Sequence, residues 1–273
     1  MTPFRPFAGR TVLVTGGTRG IGLAAALAFG RLGAQCVLTH AWGSADEADI
    51  GAQFAAAGAL PPLVQQADAA SEPDTRALVG ALQARGLAVD VFISNASNAL
   101  VVGGLEDYTE RGFLKSMRAT TWPTFGYLRA MHDAWGRYPR HVIVMSSDGP
   151  DRYTPGYDFV AAGKAAGETL VRYLAYRLRD DGVRINTLRS RAVRTASFDS
   201  TFGEGFHDFL ASLVPPAWFV TPEEVAQAAV ALASGLLDAV TGETVTVDHG
   251  NVFSDGISHV FERHHATTAP AGP

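Results

Sequence analysis

The sequence predicts an α/β protein of one domain, a doubly wound parallel sheet of seven strands with helices on both faces. Three observations lead there. Residues 11–33 read TVLVTGGTRGIGLAAALAFGRLG: a short β-rich run (Val12, Leu13, Val14) stops at Thr15-Gly16, and after Gly20-Ile21-Gly22 apolar residues recur at helical spacing, Ile21, Ala24, Ala28 and Leu32. Short strand signals then alternate with helical ones along the chain, as a parallel sheet requires, since each crossover helix must return over one of its faces. Finally, the 273 residues hold no repeat or linker before the tail, and α/β sheets of this length commonly remain one domain, here residues 1–263.

Taken in order, Cys36 to Thr39 reads as a second strand, Ala45 to Ala57 as a helix closed by Gly58, and Leu63 to Gln66 as a third strand. Ser71, with Asp74 three residues on, opens a helix reaching Arg85, and Val89 to Ile93 is a fourth strand. The stretch from Glu110 to Trp135 is helical in pattern, with Pro123 to kink or break it. Val142 to Met145 is a fifth strand. Phe159 to Leu178 is apolar around much of its circumference, so it is either deeply buried or packed against another subunit, and a homodimer or homotetramer is expected. Arg184 to Leu188 makes a sixth strand, Thr221 to Ala233 a helix opened by Thr-Pro-Glu-Glu, and Glu243 to Val247 a seventh. The tail, residues 264–273, is rich in Ala, Thr, Pro and Gly and reads as disordered.

Composition narrows the function classes. A formal charge of -5 offers no electrostatic reason to expect nucleic acid, and no apolar run approaches the roughly 20 residues that cross a bilayer. The opening MTPFRPFAGR lacks an apolar signal region, and the single Cys36 lies in an apolar run, which together predict a cytoplasmic protein with Cys36 in packing. Histidines are unclustered apart from His264-His265, so no metal site is expected.

The chemistry begins at the first turn. Gly16 and Gly20 let the backbone turn tightly and approach a ligand, Gly22 lets the helix pack against the strand, and the free N–H groups at the helix start face an anion, naturally a dinucleotide pyrophosphate. The full string Thr15-Gly16-Gly17-Thr18-Arg19-Gly20-Ile21-Gly22 resembles the fingerprint of the short-chain dehydrogenase/reductase family. The resemblance spans about residues 10–250 and implies a Rossmann-type fold. It implies that Asp68-Ala69, after the third strand, contacts the adenine, that Asn95 and Ala96, in Ser94-Asn95-Ala96-Ser97, help hold the cofactor, and that Thr195 touches it. Taken alone, Asp68 and Asn95 read equally as turn formers. A dinucleotide site for NAD usually has an acid at the end of the second strand, whereas here that strand ends Thr39-His40-Ala41-Trp42 with no acid before Asp46. Arg19 matches the basic position of NADP-preferring relatives, so NADPH is the expected cofactor, with Thr18, Ile21 and His40 also in its site.

Ser147, after the fifth strand, matches the family's substrate-orienting serine. Two features depart from the ordinary pattern: Val160 stands where a catalytic tyrosine should precede Lys164 by four, and the place of the usual active-site asparagine falls near Thr120. Tyr157, however, precedes Lys164 by seven, a Tyr-x6-Lys spacing similar to that of the enoyl-acyl-carrier-protein reductases of the same superfamily. Hydride addition to an enoyl thioester places charge on the thioester oxygen, where a phenol can donate and the Lys164 ammonium can stabilise charge while holding the nicotinamide ribose. Tyr153 is the alternative donor. After the sixth strand the family's Pro-Gly is replaced within Arg189-Ser190-Arg191-Ala192-Val193-Arg194-Thr195. Arg189, Arg191 and Arg194 could draw an anionic substrate handle, or could simply be solvated or ion-paired. Residues 196–220 occupy the place of a substrate lid. The reading is an NADPH-dependent reductase of a conjugated double bond acting on a thioester or other small molecule. The rival readings are a carbonyl or quinone reductase and a non-catalytic dinucleotide-binding protein.

Overall fold

Seven parallel strands lie in the order β3-β2-β1-β4-β5-β6-β7. They are β1 (Thr11–Val14), β2 (Gln35–His40), β3 (Leu63–Gln66), β4 (Val89–Ser94), β5 (His141–Ser147), β6 (Arg184–Ser190) and β7 (Thr244–Val247). The order reverses between β1 and β4, which opens a crevice at the carboxyl ends where a ligand can lie. The computed structural model describes residues 5–42, 45–98, 100–191, 193–195, 198, 203, 205–214, 218–253, 256–258 and 260–261. The tail expected to be disordered, with His264 and His265, lies outside them, as does part of the 196–220 segment.

The helices are α1 (Gly20–Arg31), α2 (Glu47–Ala56), α3 (Glu72–Ala84), α4 (Glu110–Thr120), α5 (Trp122–Trp135), α6 (Asp158–Arg177), α7 (Phe206–Leu213) and α8 (Pro222–Ala233). The long helical pattern is two helices: Thr121 ends α4 and opens α5, with Pro123 in the first turn of α5, where its missing N–H costs nothing. Apolar side chains fill both sides of the sheet. Val12, Phe29, Ile143 and Val225 belong to one cluster, and Leu13, Phe92, Tyr127 and Ile185 to the other. Strands buried on both faces explain why their sequence is continuously apolar rather than alternating. Cys36 is wholly buried in the first cluster, and burial pushes its thiol up to about 12, so it packs as an inert apolar side chain. Among the described residues, no helix is long and apolar enough to cross a membrane, and no group of metal-ligating side chains occurs.

Candidate active site

Four helices begin on a side-chain cap: Asp46 for α2, Ser71 for α3, Thr109 for α4 and Thr221 for α8. The start of α1 has none; Arg19 stands at its N-cap without a capping bond, and the first turn holds no acid. Its N–H groups therefore face the crevice, where a pyrophosphate would complete them. The turn that precedes them needs its glycines. Gly16 and Gly20 hold φ of 61° and 54°, and a Cβ on Gly22 would stand 2.3 Å from the Gly16 carbonyl oxygen and 2.7 Å from Asn95 Nδ2. This close approach, rather than contact with the strand, is what Gly22 permits. The residues fit a dinucleotide: a glycine-built backbone cradle, a helix start without a side-chain cap, and the exposed Arg19 at that start.

Asn95 lies at the end of β4 and holds this cradle together. Its Nδ2 donates to the carbonyls of Thr15 and Gly16, both at 3.0 Å, and the Thr15 hydroxyl accepts from the N–H groups of Asn95 (3.0 Å) and Ala96 (3.1 Å). Asn95 thus shapes the glycine turn from the neighbouring strand. Asp68 closes its own turn at the end of β3, accepting from Ala70 N at 2.9 Å, with the buried Ala69 between. His40 ends β2, and its carbonyl accepts from Ala67 N at 2.9 Å. Thr195 is brought against the cradle: a Cβ on Gly20 would meet its Cγ2 at 3.2 Å. Thr18 and Ile21, half-buried, complete the turn.

The catalytic candidates gather at the end of β5. Ser147 ends that strand, and Tyr157 immediately precedes α6, so the intervening loop folds back and lets their hydroxyls share a hydrogen bond. The Tyr157 ring lies so close over Gly149 that a Cβ there would stand 2.7 Å from Cε1. Burial raises the Tyr157 pKa, opposed by the bond from Ser147, so at neutral pH the phenol keeps its proton. Lys164 lies two turns along α6 and donates to the Met145 carbonyl at 2.7 Å; desolvation pulls its pKa down to about 8, against the attraction of Glu168. Val160, 2% exposed, is core packing and cannot donate a proton. At the place of the missing asparagine are two threonines: Thr120 shares a bond with Ser97 at 3.1 Å, and the Thr121 hydroxyl donates to the Gly163 carbonyl at 2.8 Å, joining the α4–α5 break to the helix of Lys164.

A second set of residues was missed by sequence reasoning. Beneath Lys164, the buried Glu168 carboxylate accepts from Arg189 Nε at 2.7 Å and Nη2 at 2.6 Å and from Ser146 Oγ at 2.6 Å, and Arg189 also reaches Asp151 in the loop before Tyr157. The available signal was an acid on the buried side of an apolar helix one turn beyond Lys164. Arg191 pairs with Asp148 at 3.1 Å, and Arg194 with Asp208 of α7, also at 3.1 Å. Of the two readings of the three arginines, the ion-paired one is observed.

A doubly wound sheet with this cradle and a Ser-Tyr-Lys cluster at the end of β5 defines a short-chain dehydrogenase/reductase, a class of oxidoreductases that bind a nicotinamide dinucleotide. Residues 16–251 match the family model described as enoyl-(acyl carrier protein) reductase, and the chain belongs to that family. It is 29% identical over 251 residues to the enoyl-[acyl-carrier-protein] reductase [NADH] FabI of Aquifex aeolicus, covering 89% of this chain and 91% of the other. It is 27% identical to versicolorin reductase 1 of Aspergillus parasiticus, covering 89% and 96%. The crystal structure of the Aquifex aeolicus enoyl reductase superposes with a TM-score of 0.78 at 26% identity, over 91% of this chain and 98% of that one.

Proposed function

We propose that this protein is an NADPH-dependent reductase of a conjugated carbon–carbon double bond, with an enoyl thioester as the preferred substrate class. The observation that supports it most is Tyr157: a protonated phenol bonded to Ser147, seven residues ahead of Lys164, while the position four residues ahead is a buried valine. When bound, the dinucleotide supplies the hydride. Tyr157 then donates a hydrogen bond to the substrate oxygen as negative charge develops there, and Ser147 holds the phenol in place. Lys164 supplies a nearby positive charge, which burial has left easy to lose above about pH 8. NADPH oxidation followed by absorbance with a crotonyl thioester tests the reading. Turnover is expected; oxidation with ketones or quinones alone would replace it, and NADPH binding without turnover of any substrate would leave a binding protein. Carbonyl or quinone reduction is the second reading, favoured by the likeness to versicolorin reductase 1.

The choice of NADPH over NADH rests on Arg19, exposed at the cradle with no ion pair among the described residues, and on the lack of an acid after β2. Arg19→Ala is expected to weaken NADPH binding by about tenfold or more, the worth of a charge-assisted contact, with NADH nearly unaffected. Fluorescence titration with each cofactor checks this, and equal losses would overturn it. FabI of Aquifex aeolicus carries NADH in its name, so the preference is a property of this chain to be measured.

We also infer self-association through α6. Leu170, Tyr173 and Tyr176 are exposed on it, Tyr176 at 69%, and Leu114 is exposed on α4, the helix packed against α6. Light scattering is expected to give a dimer or tetramer that Tyr173→Glu with Tyr176→Glu converts to monomer; an unchanged mass would move the interface elsewhere.

A further inference from the structure

A cavity of about 350 Å³ opens between the loop after β4 and the segment leading into α6. Two bonds stitch its sides together: Val102 N donates to the Gly156 carbonyl at 3.2 Å, and the Tyr108 hydroxyl donates to Asp158 Oδ1 at 2.6 Å. Val101, Leu105, Tyr153 and Pro155 make apolar walls, enough volume and apolar surface for a bicyclic ring or a short branched chain. Asp158 is the one charged side chain among its described lining residues, and no cation lines it. Its Oδ2 has no hydrogen-bond partner among the described residues. A carboxylate in that setting attracts a donor and repels an anion. Asp158 and Gly156 of its lining flank Tyr157 in the chain, so the cavity opens beside the segment that carries the phenol.

We propose that this cavity holds the far end of the substrate, an aromatic or alicyclic group whose hydroxyl or ammonium donor bonds to Asp158, and that it rejects substrates ending there in carboxylate or phosphate. This rests on the reading of the site as a reductase's and narrows it to neutral or cationic, donor-bearing ring compounds. Asp158 is then the residue that sets specificity, with Tyr108 holding its carboxylate in register and Tyr153 closing the apolar wall.

The test is direct binding, independent of turnover. Calorimetric titration of the intact protein with 2-naphthol, 2-methoxynaphthalene and 2-naphthoate is expected to give tightest binding for the naphthol, by about tenfold over both others, the worth of one hydrogen bond to a charged acceptor. Asp158→Asn removes the charge with little change of shape and is expected to abolish the preference over naphthoate. Tyr153→Ala, at a side chain 85% exposed and therefore harmless to the fold, is expected to weaken all three alike. Equal affinities in the unaltered protein, or an unchanged order in a folded Asp158→Asn variant, would overturn the proposal. So would naphthol binding unaffected by Tyr153→Ala. Selective binding without NADPH oxidation would keep the cavity assignment and remove the reductase reading, whereas oxidation of a crotonyl thioester without selective binding would do the reverse.

Discussion

Tyr157→Phe is expected to lower kcat about 10²–10³-fold, the range for losing one oxyanion donor, while leaving folding and cofactor affinity in place. The phenol stands at the end of β5 bonded to Ser147, and its ring packs on Gly149, so the phenylalanine ring fills the same space and only the hydroxyl is lost. Tyr153→Phe is expected to cost far less, because Tyr153 projects from the loop, 85% exposed, whereas it is Tyr157 that bonds to Ser147. Steady-state kinetics of the two variants, with NADPH titration as the control, distinguish them. The reverse order would make Tyr153 the donor, and near-full activity in the double variant would take tyrosine out of the mechanism.

The largest effect on stability is expected at Arg189. Its guanidinium clamps the Glu168 carboxylate through two bonds in a buried site and extends to Asp151. Removing one member of a buried pair leaves an uncompensated charge, so Arg189→Met is expected to cost about 3–5 kcal/mol in urea unfolding at neutral pH. Adding Glu168→Gln to that variant removes the stranded charge and is expected to recover much of the loss. The same pair of variants reports on Lys164. With the guanidinium gone, Glu168 attracts the ammonium more strongly, so the Lys164 pKa is expected to rise from about 8, moving the alkaline limb of kcat/KM to higher pH. A cost under about 1 kcal/mol with an unmoved limb would reduce the cluster to incidental surface pairing.

Sequence reading located the parts of the site that are local. The glycine turn, the Tyr157-to-Lys164 spacing and the caps at Ser71 and Thr221 all lie within a few residues of chain, where periodicity and turn chemistry act. The missing tyrosine at Val160 was equally visible, and the structure buries the valine that stands there. Less accessible was the job of Asn95. Its side-chain bonds run to Thr15 and Gly16, some eighty residues earlier, and exist only because β4 pairs with β1.

By itself the sequence determined the class of fold, the place of the glycine turn and which tyrosine stands seven residues ahead of Lys164. These follow from residue type and short-range spacing, which fix backbone conformation and which side chains share one helix face or one turn. Only the tertiary structure decided what the charges do. Arg189 reaches Glu168 because β6 lies beside β5 beneath α6, Arg191 reaches Asp148 across the same strand ends, and Asp158 lines a cavity because the loop after β4 closes against it. Whether an ionic side chain is a free handle for substrate or one half of a pair depends on partners far away in the chain, and strand order alone sets those distances.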